Sequence, residues 1–439
     1  MPGREFVTKQ RALVTMSKKR SLFGAFTLVA VILCSAARSA ELRTTSGERT
    51  IYRTAVLDRS DGVAEGALVS HNELLGGELV ATLCPSCGVA GCDRACISLT
   101  NWYANAEYLL WWRRGMDTPP LVTTSPPGTA QAAAGVLPGA TVLFGGDRFG
   151  DEARPGGRLT LGKWLDDYQT CGVEGRFWML GSSLVNFSAN STDFPILARP
   201  FRDPNTLTNQ ATLLAFPGFT GPGNAAVTSE SDVLGGDAYY RWLVMDTGST
   251  RFDFLAGYQF ARIDEVLNIN SFSTAISVPT IGPGTTFTIA ESFTTRNEFH
   301  GGQIGLSANY ENCNWRLDLL AKIAFGNMRQ AVSIAGQTTI VTPGPGSTTN
   351  VQNGPLAGGN VGRFTLNEFV VAPELGAKFR YSVHECLDLT AGYSFIYWSD
   401  VAQPGDQIDP LLNDPPSAFV FNSDSYWVHG VNFGAEVRF

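Results

Sequence analysis

The chain has 439 residues, a formal charge of −8, only 16% charged residues, 47 Gly and 23 Pro. An acidic balance with no basic footprint, zinc-finger spacing or basic heptad region argues against nucleic acid as a partner, and past the first forty residues no apolar run reaches the about 20 residues of a membrane helix. Such a composition suits many strands joined by Gly/Pro-rich loops.

Residues 1–40 read as an export signal. Lys18, Lys19 and Arg20 form the basic region, an apolar stretch follows over 22–33, and Ser35, Ala36 and Ala37 supply small residues for cleavage, with Met16 as an alternative start. Residues 41–100 show no sustained period and read as a periplasmic, largely irregular segment. It carries Cys84, Cys87, Cys92 and Cys96 in the spacing C-x2-C-x4-C-x3-C. In an oxidising compartment this cluster reads either as two disulfides or, by ligand count, as a metal site, and the spacing leaves both open. With Cys171, Cys313 and Cys386 the exported chain holds an odd number of cysteines, so at least one thiol is free, ligated or paired to another molecule.

From residue 101 the sequence becomes periodic. Over 101–113, Trp102, Ala104, Ala106, Tyr108, Leu110 and Trp112 share one face, and Tyr103, Asn105, Glu107 and Arg113 the other. Period two with one apolar and one polar face marks a strand between two solvents. After a Pro/Thr/Gly/Ala loop, 158–165 and 172–180 form a hairpin about the turn DDYQT; Lys163 shares the face of Leu159 and Leu161 and makes its first arm irregular. Further strands are expected at 233–245 and 251–262 about DTGS, 297–310 and 315–325 about ENCN, and 369–381 and 387–398 about SVHEC. Pro373 interrupts the seventh arm without being able to donate to a ladder. The last strand, 427–439, alternates strictly and ends in Phe439; with Phe433 and Val437 on the same face it resembles the terminal signal read by barrel-assembly machinery.

Ten strands joined alternately by long loops and four short turns predict an all-β fold: a transmembrane, antiparallel, up-and-down barrel over 101–439 with long extracellular loops and short periplasmic turns. Both termini, Cys171, Cys313 and Cys386 then lie at the periplasmic end. The nine tryptophans fall at two levels, Trp102, Trp164, Trp242 and Trp315 at the periplasmic boundary and Trp111, Trp112, Trp178, Trp398 and Trp427 at the outer one, which reads as two interfacial girdles. Outer-membrane lipid is the partner this implies, with small solutes as candidate cargo.

Charged residues keep to the opposite phase: Glu107, Arg113, Glu174, Arg176, Asp237, Arg241, Arg251, Asp253, Arg316, Asp318, Lys322, Glu374, Lys378, Arg380, Asp388, Glu436 and Arg438. They form either a charged constriction that selects solutes or a satisfied ion-pair network filling a narrow interior. No G-x-S-x-G, P-loop or H-E-x-x-H is present, so no catalytic residue, resident metal or cofactor is assigned. Of the four histidines, His300 is the one placed near an outer strand end, where loop carboxylates would have to join it for hydrolysis. Adhesion through the five outer loops is the other alternative.

Several blocks carry a family resemblance: AEYLLWWRRG (106–115), LFGG (143–146), GGRLTLGKWLD (156–166), GVEGRFWML (172–180) and YSFIYWSDVAQPGDQID (393–409). Together they resemble the beta-barrel porin-7 family of planctomycete outer-membrane proteins. The resemblance implies an outer-membrane barrel and leads one to expect Arg where Gln403 stands; it implies no catalytic residues.

Overall fold

The computed structural model describes residues 101–439 apart from 204, 280, 345–346, 352–353, 385 and 410–418. The signal sequence of 1–40, the segment of 41–100 and the cluster Cys84, Cys87, Cys92 and Cys96 lie outside the described residues. The strands in chain order are β1 (Trp102–Arg113), β2 (Val122–Thr124), β3 (Thr141–Phe144), β4 (Arg154–Trp164), β5 (Cys171–Leu180), β6 (Ser183–Asn190), β7 (Leu197–Arg202), β8 (Asn209–Ala215), β9 (Asn224–Asp246), β10 (Thr250–Thr274), β11 (Thr286–Asn312), β12 (Trp315–Thr342), β13 (Ser347–Val351), β14 (Gly362–His384), β15 (Leu387–Val401) and β16 (Asp424–Arg438). Among the described residues no helix is long and apolar enough to cross a membrane.

Ten of these strands close a ring. In order they are β1, β4, β5, β9, β10, β11, β12, β14, β15 and β16, each antiparallel to the next, and β16 pairs back with β1. The fold class expected from sequence is thus the one observed. The register sets the barrel's girth. A walk across partners from Arg113 passes Val428, Ile396, Glu374, Lys322, Gly305, Leu255, Arg241, Gly172 and Trp164 and returns to the first strand at Asn101. From 113 to 101 is a stagger of 12 residues. Ten strands with that stagger tilt by roughly 40° and enclose only slightly more room than the eight-stranded barrels that side chains fill.

Outside, a continuous apolar belt is exposed: Leu159, Leu161, Phe177, Met179, Tyr240, Trp242, Phe254, Tyr258, Ile304, Leu306, Leu319, Phe325, Leu375, Phe379, Leu389, Tyr393 and Phe433 among others. On β10 it runs from Phe252 to Phe260, nine residues, and ends where Arg262 and Asp264 take the outward positions. A tilted transmembrane strand needs about 9–11 residues, so the belt is of bilayer height. Lys163, the irregular residue of β4, faces outward at the lower rim, where its ammonium lies 5.0 Å over the ring of Trp102. Pro373 sits one residue above the last β14–β15 pair, Glu374 opposite Ile396, where the two strands part.

Four of the expected outer loops contain strand structure, which is the main departure from the sequence reading. β9, β10, β11, β12 and β14 continue well past the belt with unbroken pairing. Their alternation persists, but its polarity reverses. On β11, Ile289, Glu291, Phe293, Thr295, Asn297 and Phe299 face inward and are buried, while Thr288, Ser292, Thr294 and Arg296 face outward. Below the rim the solvent outside is lipid and the lumen is polar; above it the solvent outside is water and the lumen must exclude water. A search for apolar-out strands loses the signal at that crossing.

The reversed inner face is apolar because it packs on a second sheet of four strands, ordered β3-β2-β7-β8, folded from the segments between β1 and β9. Met116, Leu121, Val122, Leu197 and Leu214 of this cap region form one core with Leu267, Ile269, Phe293, Val332 and Ile334 of the wall. Three tryptophans correct another expectation. Trp111, Trp178 and Trp398 lie at the outer level but face the lumen, with exposures of 0%, 4% and 0%. Their rings stand in a row, 5.3 Å from Trp111 to Trp178 and 6.5 Å from Trp178 to Trp398. Each occupies the inward phase of its strand, which height along the barrel does not reveal. Trp164 also points inward, beneath the guanidinium of Arg251 at 4.6 Å.

If the exposed belt faces lipid, Leu306→Arg lowers the stability of vesicle-inserted barrel by about 2–4 kcal/mol, as for a cation near the bilayer midplane. Urea titration followed by tryptophan fluorescence measures this; an unchanged midpoint would exclude lipid contact at Leu306.

Candidate functional site

The interior of the barrel is the candidate site, and it is built in layers. At the periplasmic end Arg251 pairs with Asp253 at 2.8 Å and donates to the carbonyl oxygen of Gln169 at 2.6 Å. Arg241 of β9 bridges Asp253 at 2.7 Å and Glu174 at 3.0 Å. The hydroxyls of Tyr103, at 2.5 Å, and Tyr239 donate to the same Glu174 carboxylate. Near the C-terminus Arg380 joins Asp318 and Glu436, while Arg438 joins Asp388 at 2.5 Å and Glu436 at 3.5 Å. Arg316 pairs at the turn with Glu311 at 2.8 Å.

Above this level four buried charges from four strands close a ring. Arg176 of β5 bonds Asp237 of β9, Asp237 bonds Lys322 of β12, Lys322 reaches Glu374 of β14 at 2.8 Å, and Glu374 reaches back to Arg176 at 2.8 Å. Asp237 and Arg176 lie on one side of the barrel and Lys322 and Glu374 on the other, so two of the four contacts span the lumen. Beside them Glu107 of β1 takes a forked pair from Arg158, at 2.6 and 3.0 Å, and a second cation, Lys378, at 3.1 Å from across the barrel. Every charged residue singled out from strand phase is in an ion pair. Phase reading missed Arg158, which shares the polar face of Thr160 and was hidden by the irregular arm around Lys163.

The next layer is apolar and aromatic. Leu109, Trp111, Trp178, Leu180, Val233, Ile263, Phe299, Met328, Val370 and Trp398 pack across the lumen. Gly235 lies beneath the Trp178 ring, and a Cβ there would stand 2.7 Å from it. Trp111 Nε1 donates to Asn432 Oδ1 at 2.8 Å, which satisfies its one polar atom.

A third level ties the outer segments to the wall. Arg113, also read from phase, lies here and pairs with Glu265 at 2.5 Å. Glu265 further accepts from Ser231 Oγ and from Gln403 Nε2, each at 3.1 Å. Gln403 therefore serves the buried carboxylate that already holds Arg113, so an amide suffices where the resemblance suggested Arg. Asn297 grips the neighbouring backbone from both sides: Nδ2 donates to the Ala402 carbonyl and Oδ1 accepts from the Ala402 N–H, both at 2.9 Å. In the cap, Arg199 of β7 meets Glu291 of β11, which also accepts the N–H groups of Leu356 at 2.6 Å and Ala357 at 2.8 Å. Glu265, Glu291 and Arg199 fell in stretches read as loops.

The histidines stand away from these carboxylates. His300 lies mid-strand in β11 on the outward face against Tyr258 and Phe260, not at an outer strand end, because β11 begins at Thr286. His429 faces outward as its phase requires, 2.5 Å from the Tyr393 hydroxyl and stacked on Trp112 at 5.8 Å. Of the terminal residues, Phe433 is exposed to the outside and Phe439 closes the ring through backbone bonds with Trp102 of 3.0 and 3.2 Å. Val437 shares the outward phase of Phe433 but is only 3% exposed, covered where it lies in register between Ala104 and Leu387. Cys313 and Cys386 are disulfide-bonded, and Cys171 is a free cysteine among the described residues.

The model of the family described as "Putative beta barrel porin-7" matches residues 103–439. The chain belongs to this family. It is a porin-like β-barrel protein of the outer membrane. None of the curated proteins matches it in sequence. Among solved structures it is similar to the outer membrane protease OmpT from Escherichia coli, with 10% identity and a TM-score of 0.40, over 77% of this chain and 97% of that one. It is also similar to the P. putida toluene transporter TodX, with 8% identity and a TM-score of 0.18 over 77% and 90% of the two chains. For the CymD monoaromatic hydrocarbon channel the identity is 7% and the TM-score 0.20, over 77% and 89%.

Two outcomes follow from this porin-7 barrel's interior. Asp237→Asn leaves Arg176 and Lys322 with one carboxylate between them and costs about 3–5 kcal/mol, the loss for breaking a buried pair; adding Lys322→Met restores part of it, read by urea unfolding. At the outer end, burial pushes the Asp406 carboxyl up to about 6, with Arg114 opposing and Asp424, Asp117 and Glu265 reinforcing the shift. A raised carboxyl contributes stability that is full below its ordinary 3.8 and is lost as pH rises through about 6. The amides of Gln407 and Ile408 therefore exchange hydrogen more slowly at pH 5 than at pH 7.5, after correction for intrinsic rates, and Asp406→Asn removes the difference.

Proposed function

We propose that this porin-family barrel is closed across its lumen and serves the outer membrane as a structural element that carries an ordered outer cap, not as an open diffusion pore. The ring of Arg176, Asp237, Lys322 and Glu374 carries this reading. Its members are buried to 8% exposure or less and bond one another from opposite walls at 2.8 Å or closer. A hydrated ion crossing that level must part at least two of these contacts and then pass the aromatic layer. Within the ring each charge already meets two counter-charges, so none is left over there to select an ion by its sign.

The reading assigns no catalysis, which the placement of His300 and His429 beside outward tyrosines supports. It includes delivery by the barrel-assembly machinery, supported by a ring that closes through the pairing of β16 with β1, and the planctomycete origin that the sequence blocks suggest. Recognition through the outer surface is favoured to the extent that the cap is a sheet buttressed by the Arg199–Glu291 pair, which presents a fixed rather than a pliant face.

Single-channel recording of the full exported chain in a planar bilayer tests the proposal. Folded, inserted protein is expected to give no discrete steps at moderate voltage. Steps in the unmodified protein whose size or ion selectivity changes in Arg241→Ala and Glu374→Ala would overturn it.

A further inference from the structure

Below the four-charge ring the lumen opens into a cavity of about 80 Å³. A cavity needs ~10–15 Å³ of such space to hold a first water, so this one has room for more than one. Its walls come from the periplasmic ends of the strands, and Lys378 and Arg380, lining it, keep 19% and 14% of their side chains exposed.

The cavity's polar groups are not evenly matched. Asn105 is 2% exposed, lines the cavity, and has no hydrogen-bond partner at either amide atom among the described residues. The same is true of Thr160 Oγ1, directly opposite Asn105 in the β1–β4 register, and of Arg241 Nε. A buried polar group left without a partner forfeits the hydrogen bonds it made to water, so three such side chains around one space call for an occupant. Arg241 Nε is a donor outright, Asn105 offers a donor in Nδ2 and an acceptor in Oδ1, and the Thr160 hydroxyl can be either. The charged lining is biased the same way: Arg158, Arg176, Arg241, Lys378 and Arg380 against Glu174, Asp318 and Glu436, five cations to three anions. Among the described residues Lys378 has one ion-pair partner, Glu107, which leaves its other protons for a ligand.

We infer that this vestibule is a binding site for a small carboxylate anion entering from the periplasm. The Asn105 amide, the Thr160 hydroxyl and Arg241 Nε donate to its two oxygens, and Lys378 supplies the compensating charge. A carboxylate of two or three carbons displaces waters from the volume and accepts from Asn105 Nδ2, the Thr160 hydroxyl and Arg241 Nε together, while Asn105 Oδ1 stays turned to a remaining water. The carboxylate oxygens accept two or more bonds each, which a chloride without directed lone pairs does not match in geometry. The site stands whether or not the barrel conducts, because it lies below the four-charge ring.

The experiment titrates folded, detergent-solubilised full-length protein with sodium acetate, following the relaxation of 13C-labelled acetate, with ammonium as the opposite-charge control. Saturable acetate binding is expected, weakened at least tenfold by Asn105→Asp, which turns the amide donor into a repelling charge. Lys378→Gln, which leaves Glu107 its forked pair with Arg158, is expected to weaken it about fivefold. Absence of saturation in folded protein, unchanged affinity in both variants, or equal binding of ammonium would each overturn the assignment.

Discussion

The structure depends on charges that find partners across the lumen. A ten-stranded ring with a 12-residue stagger has an interior too narrow for bulk water at its centre, yet its inward strand positions must be polar enough for the outward ones to face lipid. Buried charge in that space is tolerable only if each ion meets its counter-ion. Neighbouring strands supply part of this, as between Arg158 and Glu107, and the opposite wall supplies the rest, as between Arg176 and Glu374. The same contacts that make the polar interior tolerable also run across it from wall to wall.

One strand crossing two solvents explains the remainder of the architecture. β11 is apolar outward and polar inward at its lower end and the reverse at its upper end, with no break in its pairing to β10 and β12. The upper inner face needs something to cover it, and the cap sheet of β2, β3, β7 and β8 does so. Between the two regimes lies the layer of Trp111, Trp178 and Trp398, large rings that fill the tube's section. Glu265 and Glu291 sit at or above that layer, each buried completely and each holding a segment of the cap or outer loops to the wall.

A porin-family barrel filled in this way separates descent from transport. Family membership accounts for the ring, the belt and the address in the outer membrane. The charge pairing and the aromatic layer are what bear on passage, and they argue for closure. An architecture by itself selects no activity.

Strand phase in the sequence determined the ring: the ten membrane strands, their alternation of short and long connections, and the inward charges, because lipid on one side and polar lumen on the other impose a period of two that single residues display. By the same phase it put His429 on the face that carries Tyr393, and Glu374 on the one that carries Lys322. Only the tertiary structure decided which charge meets which, since Arg176 and Glu374 are 198 residues apart and come together through closure of the ring. It likewise decided that Trp178 fills the lumen and that His300 lies mid-strand. The outer strands were illegible because their polarity inverts above the membrane, and what a residue buries there depends on a cap sheet whose packing no local pattern records.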